Sequence, residues 1–115
     1  MSQLNAFQPN NNNTVAVLPT NVSSQIALPV AIGNTGGQQL RVVNRTTLDV
    51  WIAFGTGGAA PTAVIPIVGT PGNGLIVLTG EDATFSPPPG TTNVAVIQAA
   101  GGGTGNVYYT VGEGI

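Results

Sequence analysis

The chain is 115 residues long, with two basic and four acidic residues, a formal charge of −2, and no Lys, His or Cys. Charged residues make up 5% of it, against about 25% in an average soluble domain. The missing side chains exclude Ser-His-Asp and Cys-His catalysis and the common zinc sites, and two arginines are too few for a phosphate-binding patch.

One domain is expected at this length. Leu, Ile, Val and Phe supply 32 residues, above the level of about 20% below which chains stay disordered. Few charges also mean little repulsion between copies, so self-association and a surface covered by partners are expected. The first residues, Met1-Ser2-Gln3-Leu4-Asn5, carry no basic segment followed by a long apolar run, so no secretory signal is expected. Gly and Pro break every apolar stretch well short of the roughly 18 residues of a membrane-spanning helix.

Residues 1–14 open the chain as an extended arm. Gln8-Pro9-Asn10-Asn11-Asn12-Asn13-Thr14 is polar, uncharged and unable to build a core. Residues 15–115 form the single folded domain. Short Val-rich runs then alternate with Gly and Pro breakers, and β-branched residues favour strands. The predicted strands are 15–18, 24–32, 39–44, 48–55, 63–68, 75–79, 83–86, 94–99 and 106–111. Alternation is clearest in two of them. Leu48, Val50, Ile52 and Phe54 share one face, opposite Asp49, Trp51, Ala53 and Gly55. Val107, Tyr109 and Val111 oppose Asn106, Tyr108 and Thr110. Asn44-Arg45-Thr46-Thr47 reads as a hairpin connection. Pro29 and Pro66 lie within predicted strands, so those strands should be edges or bulged. No window sustains a helical period. The fold class expected is all-β: an antiparallel sandwich of about eight strands, jelly-roll-like in topology, behind the extended N-terminal arm.

No constellation for chemistry emerges. Glu81-Asp82 follows Gly80 and reads as a solvated turn. Gly55-Thr56-Gly57-Gly58 and Gly101-Gly102-Gly103-Thr104-Gly105 lack the Lys and the following helix of a phosphate loop. Arg45 and Asp49 should form a weak surface pair. Trp51, the single tryptophan, is either core in a strand covered on both sides or an exposed anchor, since Trp is enriched at binding hot spots. Tyr108 and Tyr109 point to opposite faces, so one is expected to be exposed. No catalytic, cofactor-binding or metal-binding residues are expected, and the chain is expected not to be an enzyme. The candidate interface residues are Phe7, Pro9 and Asn10 from the arm, with Trp51 and Tyr108.

Three stretches carry a resemblance. Leu40-Arg41-Val42-Val43-Asn44 with Val50-Trp51-Ile52-Ala53-Phe54-Gly55, then Asn93-Val94-Ala95-Val96-Ile97, then Val107-Tyr108-Tyr109-Thr110-Val111-Gly112-Glu113-Gly114 resemble small structural proteins of tailed bacteriophages, the head decoration or cement proteins. The similarity covers residues 38–115 and carries no catalytic signature. It implies a many-copy β-sandwich on the outside of the capsid. The major capsid protein would be its partner, and it would form a homo-oligomer, dimer or trimer, on the shell. It implies synthesis in the host cytoplasm, with neither nucleic acid nor membrane as partner. Related small β-proteins also occur in tails, fibres and adaptors. A carbohydrate-binding sandwich stacking sugars on Trp51 and Tyr108 or Tyr109 is a further alternative.

Overall fold

A computed structural model describes residues 8–29, 32, 38–56, 61–99 and 103–113. Among these, eight strands form: β1 (Gln8–Val17), β2 (Ser24–Ala27), β3 (Gln38–Asn44), β4 (Val50–Gly55), β5 (Leu75–Val77), β6 (Asp82–Phe85), β7 (Asn93–Gln98) and β8 (Val107–Glu113). They build two four-stranded sheets, ordered β1-β8-β3-β6 and β2-β7-β4-β5. Every pairing is antiparallel. This interleaving of early and late strands is the jelly-roll topology. The expected fold class is therefore the observed one.

The alternation read in the sequence becomes the core. Leu40 and Val42 of β3, Val107, Tyr109 and Val111 of β8, Val50 and Ile52 of β4, Val94 and Val96 of β7, and Val77 of β5 are all fully buried between the sheets. Each such Val or Leu contributes about 1.5–3 kcal/mol by leaving water. Phe54 of β4 meets Phe85 of β6 edge-on, with ring centroids 5.9 Å apart, and joins the sheets at one end of the sandwich.

The connections differ from expectation in an instructive way. All but one switch sheets; only β4 and β5 are consecutive strands within the same sheet. The 44–47 connection is therefore not a hairpin: β3 lies in one sheet and β4 in the other. Polar side chains hold this corner. Asn44 Nδ2 donates to the carbonyls of Leu48 and Val77, each at 3.0 Å. Asn44 Oδ1 accepts the Thr46 N–H at 2.9 Å and lies 2.6 Å from the Thr46 hydroxyl.

Residues 63–68, expected as a strand, contain no strand; an isolated bridge joins Ile67 to Thr70. Pro61, Pro66 and Pro71 lack the N–H that a ladder needs. Strand β2 is an edge strand and stops at Ala27, before Pro29, as that proline requires. Beyond it, Leu28 and Ile32 still donate to Thr92 and Thr91 at 2.8 Å each.

Of the segment read as an arm, residues 1–7, with Phe7, lie outside the described residues. Residues 8–14 enter β1, which pairs along the edge of β8. Gln8 and Pro9 oppose Glu113 and Gly112, and pairing resumes at Thr14 opposite Thr110. The Asn run is the irregularity between them. Backbone pairing asks nothing apolar of the side chains, which is why composition did not foretell it.

Candidate interaction surface

The outer faces of the two sheets are chemically unlike. Outside the first sheet, Arg41 of β3 reaches across to Asp82 of β6: Nε lies 2.9 and 3.0 Å from the two carboxylate oxygens, and a guanidinium nitrogen completes the pair. Both side chains are nearly half exposed. The hydrogen bond from Arg41, opposed in part by burial and reinforced by the guanidinium charge, holds the Asp82 carboxyl below its ordinary value. Thr14 and Thr110 join their hydroxyls at 2.8 Å on neighbouring strands. Arg45 and Asp49, expected to pair, form no ion pair. Asp49 Oδ1 instead accepts the Thr79 N–H at 2.8 Å. Glu81 Oε1 accepts the Leu78 N–H at 2.8 Å and sits in the expected turn, while Asp82 begins β6.

The second sheet is apolar outside as well as inside. Ile76, Trp51 and Ile97 lie opposite one another across β5, β4 and β7. Ala53 and Ala95 form a small buried cluster with Ala63, against which Ile97 packs. Ala63 belongs to the segment joining β4 to β5, and its N–H donates to Ser23 Oγ at 2.9 Å. This segment straps the outer face. It passes so near Trp51 that a Cβ on Gly74 would stand 3.0 Å from the Trp51 Cβ and collide with the Val64 carbonyl. Trp51 is thus neither core nor free anchor: it is half-buried beneath the strap.

Beyond the strap the segment stands away from the sandwich as a finger. Asn73 Nδ2 donates to the Thr62 carbonyl at 2.8 Å, Gly72 lies against Pro66, and Thr70 N–H donates to the Ile67 carbonyl at 2.9 Å. The tip is Ile67-Val68-Gly69-Thr70. Ile67 is 72% exposed and Val68 fully exposed. The neighbouring edge strand β5 shows Leu75 and Ile76, with Leu78 just past it, all nearly half exposed. No charged residue lies between 61 and 78.

At the opposite edge of the same sheet, the β1–β2 turn and the end of β7 frame a pocket of 280 Å³, lined by Leu18, Pro19, Thr20, Asn21, Gln98 and Gly103. The Gln98 N–H donates to the Thr20 carbonyl at 2.8 Å. Gln98 is 2% exposed, and among the described residues its Nε2 has no hydrogen-bond partner. Leu18 and Val22 stand exposed beside this pocket.

The candidate residues read from sequence do not form one site. Pro9 and Asn10 contribute backbone to β1, and their side chains lie outside the described residues. Trp51 and Tyr108 sit on the outer faces of different sheets, and Tyr109 is buried in the core. They therefore offer no shared stacking platform for a sugar. Tyr108 is exposed, as one of the two tyrosines was expected to be. The finger and the pocket were not anticipated. The signal for the finger was Pro66 and Pro71 bracketing Ile67-Val68-Gly69-Thr70, a turn signature overridden by β-branched content.

No family model matches the chain, and no curated protein matches it. Among solved structures it is similar to a chain from work described as "Bacillus endospore appendages form a novel family of disulfide-linked pili". The two are 22% identical, the match covers 89% of this chain and 83% of that one, and the TM-score is 0.48. This chain has no cysteine with which to form a disulfide.

Proposed function

We propose that this chain is a non-enzymatic structural protein that works by coating and joining other subunits, and that its place is the outside of a tailed-phage capsid, as a decoration or cement protein. The observation that carries the reading is its surface. The second sheet, its strap and its finger expose Ile67, Val68, Leu75, Ile76 and Leu78 without a charge among them. Large apolar side chains exposed along one uncharged stretch of chain mark an interaction surface. The jelly roll recurs in viral capsid domains, which adds support by analogy of fold. A shell is also a setting in which many copies hold to a repeating surface through backbone pairing and apolar contact. The major capsid protein is the partner this reading names.

Immunogold microscopy with antibody to the chain tests it on particles from cells that produce the chain. Label on the outer face of capsid shells is expected. Label confined to tails or fibres would transfer the chain to the tail, and particles without label would overturn the virion assignment altogether.

A further inference from the structure

We propose that Asn73-Gly74, at the base of the finger, is a deamidation site, and that its reaction unlatches the segment that straps Trp51.

Two packing demands place this pair together. Asn73 holds the base of the finger shut, its Nδ2 donating to the Thr62 carbonyl at 2.8 Å. Gly74 must be glycine, since a Cβ there would collide with the Val64 carbonyl oxygen and stand 3.0 Å from the Trp51 Cβ. Asparagine followed by glycine is the combination most open to deamidation, because no side chain on the second residue hinders its nitrogen from reaching the amide carbon. The sequence has no second Asn-Gly pair. Asn21, Asn93 and Asn106 each precede a valine, whose branched Cβ crowds that approach. Asn44 is fully buried, with its amide nitrogen bound to two carbonyls. Asn73, by contrast, is exposed. Among the described residues its amide holds one hydrogen bond, to Thr62. An exposed bond of this kind opens locally far more often than the domain unfolds.

The chemistry needs water alone. The Gly74 nitrogen, once its proton has gone to base, attacks the side-chain carbonyl carbon of Asn73. The bond from that carbon to Nδ2 breaks, and Nδ2 takes a proton from water and departs as ammonia. Water then opens the five-membered succinimide at either carbonyl, leaving aspartate or isoaspartate. In aspartate, a carboxylate oxygen replaces the donor and faces the Thr62 carbonyl, so an attraction becomes a repulsion. In isoaspartate, the main chain gains a carbon immediately before Gly74, where the Val64 carbonyl and Trp51 leave no room. Both products also bring the first charge into residues 61–78. The base of the finger opens, and the strap leaves Trp51.

The inference does not depend on what the surface binds and is tested on the isolated full-length chain. The protein is incubated in neutral and in mildly alkaline buffer. Tandem mass spectrometry locates acid formation, enzymatic methylation measures isoaspartate, and emission and acrylamide quenching of Trp51, the single tryptophan, follow the strap. Acid should form at Asn73 ahead of every other asparagine, and faster at alkaline pH, because the Gly74 nitrogen must lose its proton. Trp51 emission should shift to the red and its quenching should rise in step, while far-UV circular dichroism stays that of the folded sandwich. Asn73→Asp should show the shifted emission and raised quenching from the outset. Asn73→Gln, whose longer side chain would have to close a six-membered ring, should keep its starting values throughout. Asn73 staying intact while a free peptide of residues 70–77 converts, or acid forming first at another asparagine, would overturn the proposal. So would Trp51 quenching that stays unchanged as Asn73 converts, that matches wild type in Asn73→Asp, or that rises equally in Asn73→Gln.

Discussion

Asn44, the last residue of β3, donates a 3.0 Å hydrogen bond to the carbonyl of Val77 in β5, so a single side chain ties one sheet of the sandwich to the other. Its second amide hydrogen goes to Leu48, and its oxygen serves Thr46. The residue is fully buried and spends its whole donor capacity on the corner where the chain changes sheets. Asn44→Leu is similar in volume but takes the side-chain partner from the buried Val77 carbonyl and from the Thr46 N–H, while the Leu48 carbonyl keeps the Thr46 hydroxyl. A loss of about 3 kcal/mol is expected from urea denaturation, at the level of one to three kcal/mol per orphaned group with partial relaxation. Asn44→Asp should cost more, since it turns an acceptor toward two carbonyls.

Two glycines separate backbone strain from crowding. Gly105 has φ of 100°, and a side chain there would collide with the Arg45 carbonyl. Gly80 has φ of 78° but open space around it. Gly80→Ala should therefore cost about 1–2 kcal/mol, the conformational term alone. Gly105→Ala should cost clearly more, because the β3–β4 corner must shift as well. Thermal melts of the two variants side by side check the difference.

The Tyr109 hydroxyl is buried between the sheets, without a hydrogen-bond partner among the described residues. Burial without a bond costs about 1–3 kcal/mol. Tyr109→Phe should accordingly leave stability unchanged or raise it. Burial also pushes the Tyr109 phenol well above its ordinary value. The unfolded chain then ionises at about pH 10 while the folded chain does not. Stability from this group is complete below pH 10 and falls as pH rises beyond it. Tyr109→Phe should reduce the alkaline loss, read from denaturation midpoints between neutral pH and about pH 11.

For the Arg41–Asp82 pair the sign runs the other way. The Asp82 carboxyl is held below its ordinary value, chiefly by the hydrogen bond from Arg41. Its contribution is present above the unfolded carboxylate value and is lost as pH falls through the lower folded one. Both side chains are nearly half exposed, so solvent screens the pair. Asp82→Asn should cost no more than about 1 kcal/mol at neutral pH and nothing once Asp82 is protonated in both states.

The inward faces were legible because burial leaves a period of two. Leu40 and Val42, Val50 and Ile52, and Val107, Tyr109 and Val111 alternate with the outward-facing Arg41, Trp51, Tyr108 and Thr110. Which strand pairs with which was not legible. A short polar link such as 45–47 serves a hairpin and a change of sheet equally well, and only the Asn44–Val77 bond distinguishes them. Arg41 finds Asp82 through register, across 41 positions of sequence, so proximity along the chain favoured Asp49 wrongly. Of the candidate surface, Trp51 and Tyr108 were visible as outward residues on their strands. The strap over Trp51 and the pocket beside Gln98 arise from loops meeting far from their own strands, which no local pattern encodes.

The most direct measurement of the central claim, attachment to a shell through uncharged surface, is occupancy of the chain on stripped capsid shells across a salt series. Surface charge acts over a Debye length of about 8 Å at physiological salt and is screened further above it. Apolar contact and backbone pairing are not weakened in that way. Occupancy should stay nearly constant between about 50 and 200 mM salt, with a negative heat-capacity change on binding. An affinity that falls by orders of magnitude over the same range would contradict the account and move the interface to Arg41, Arg45 and the acidic residues.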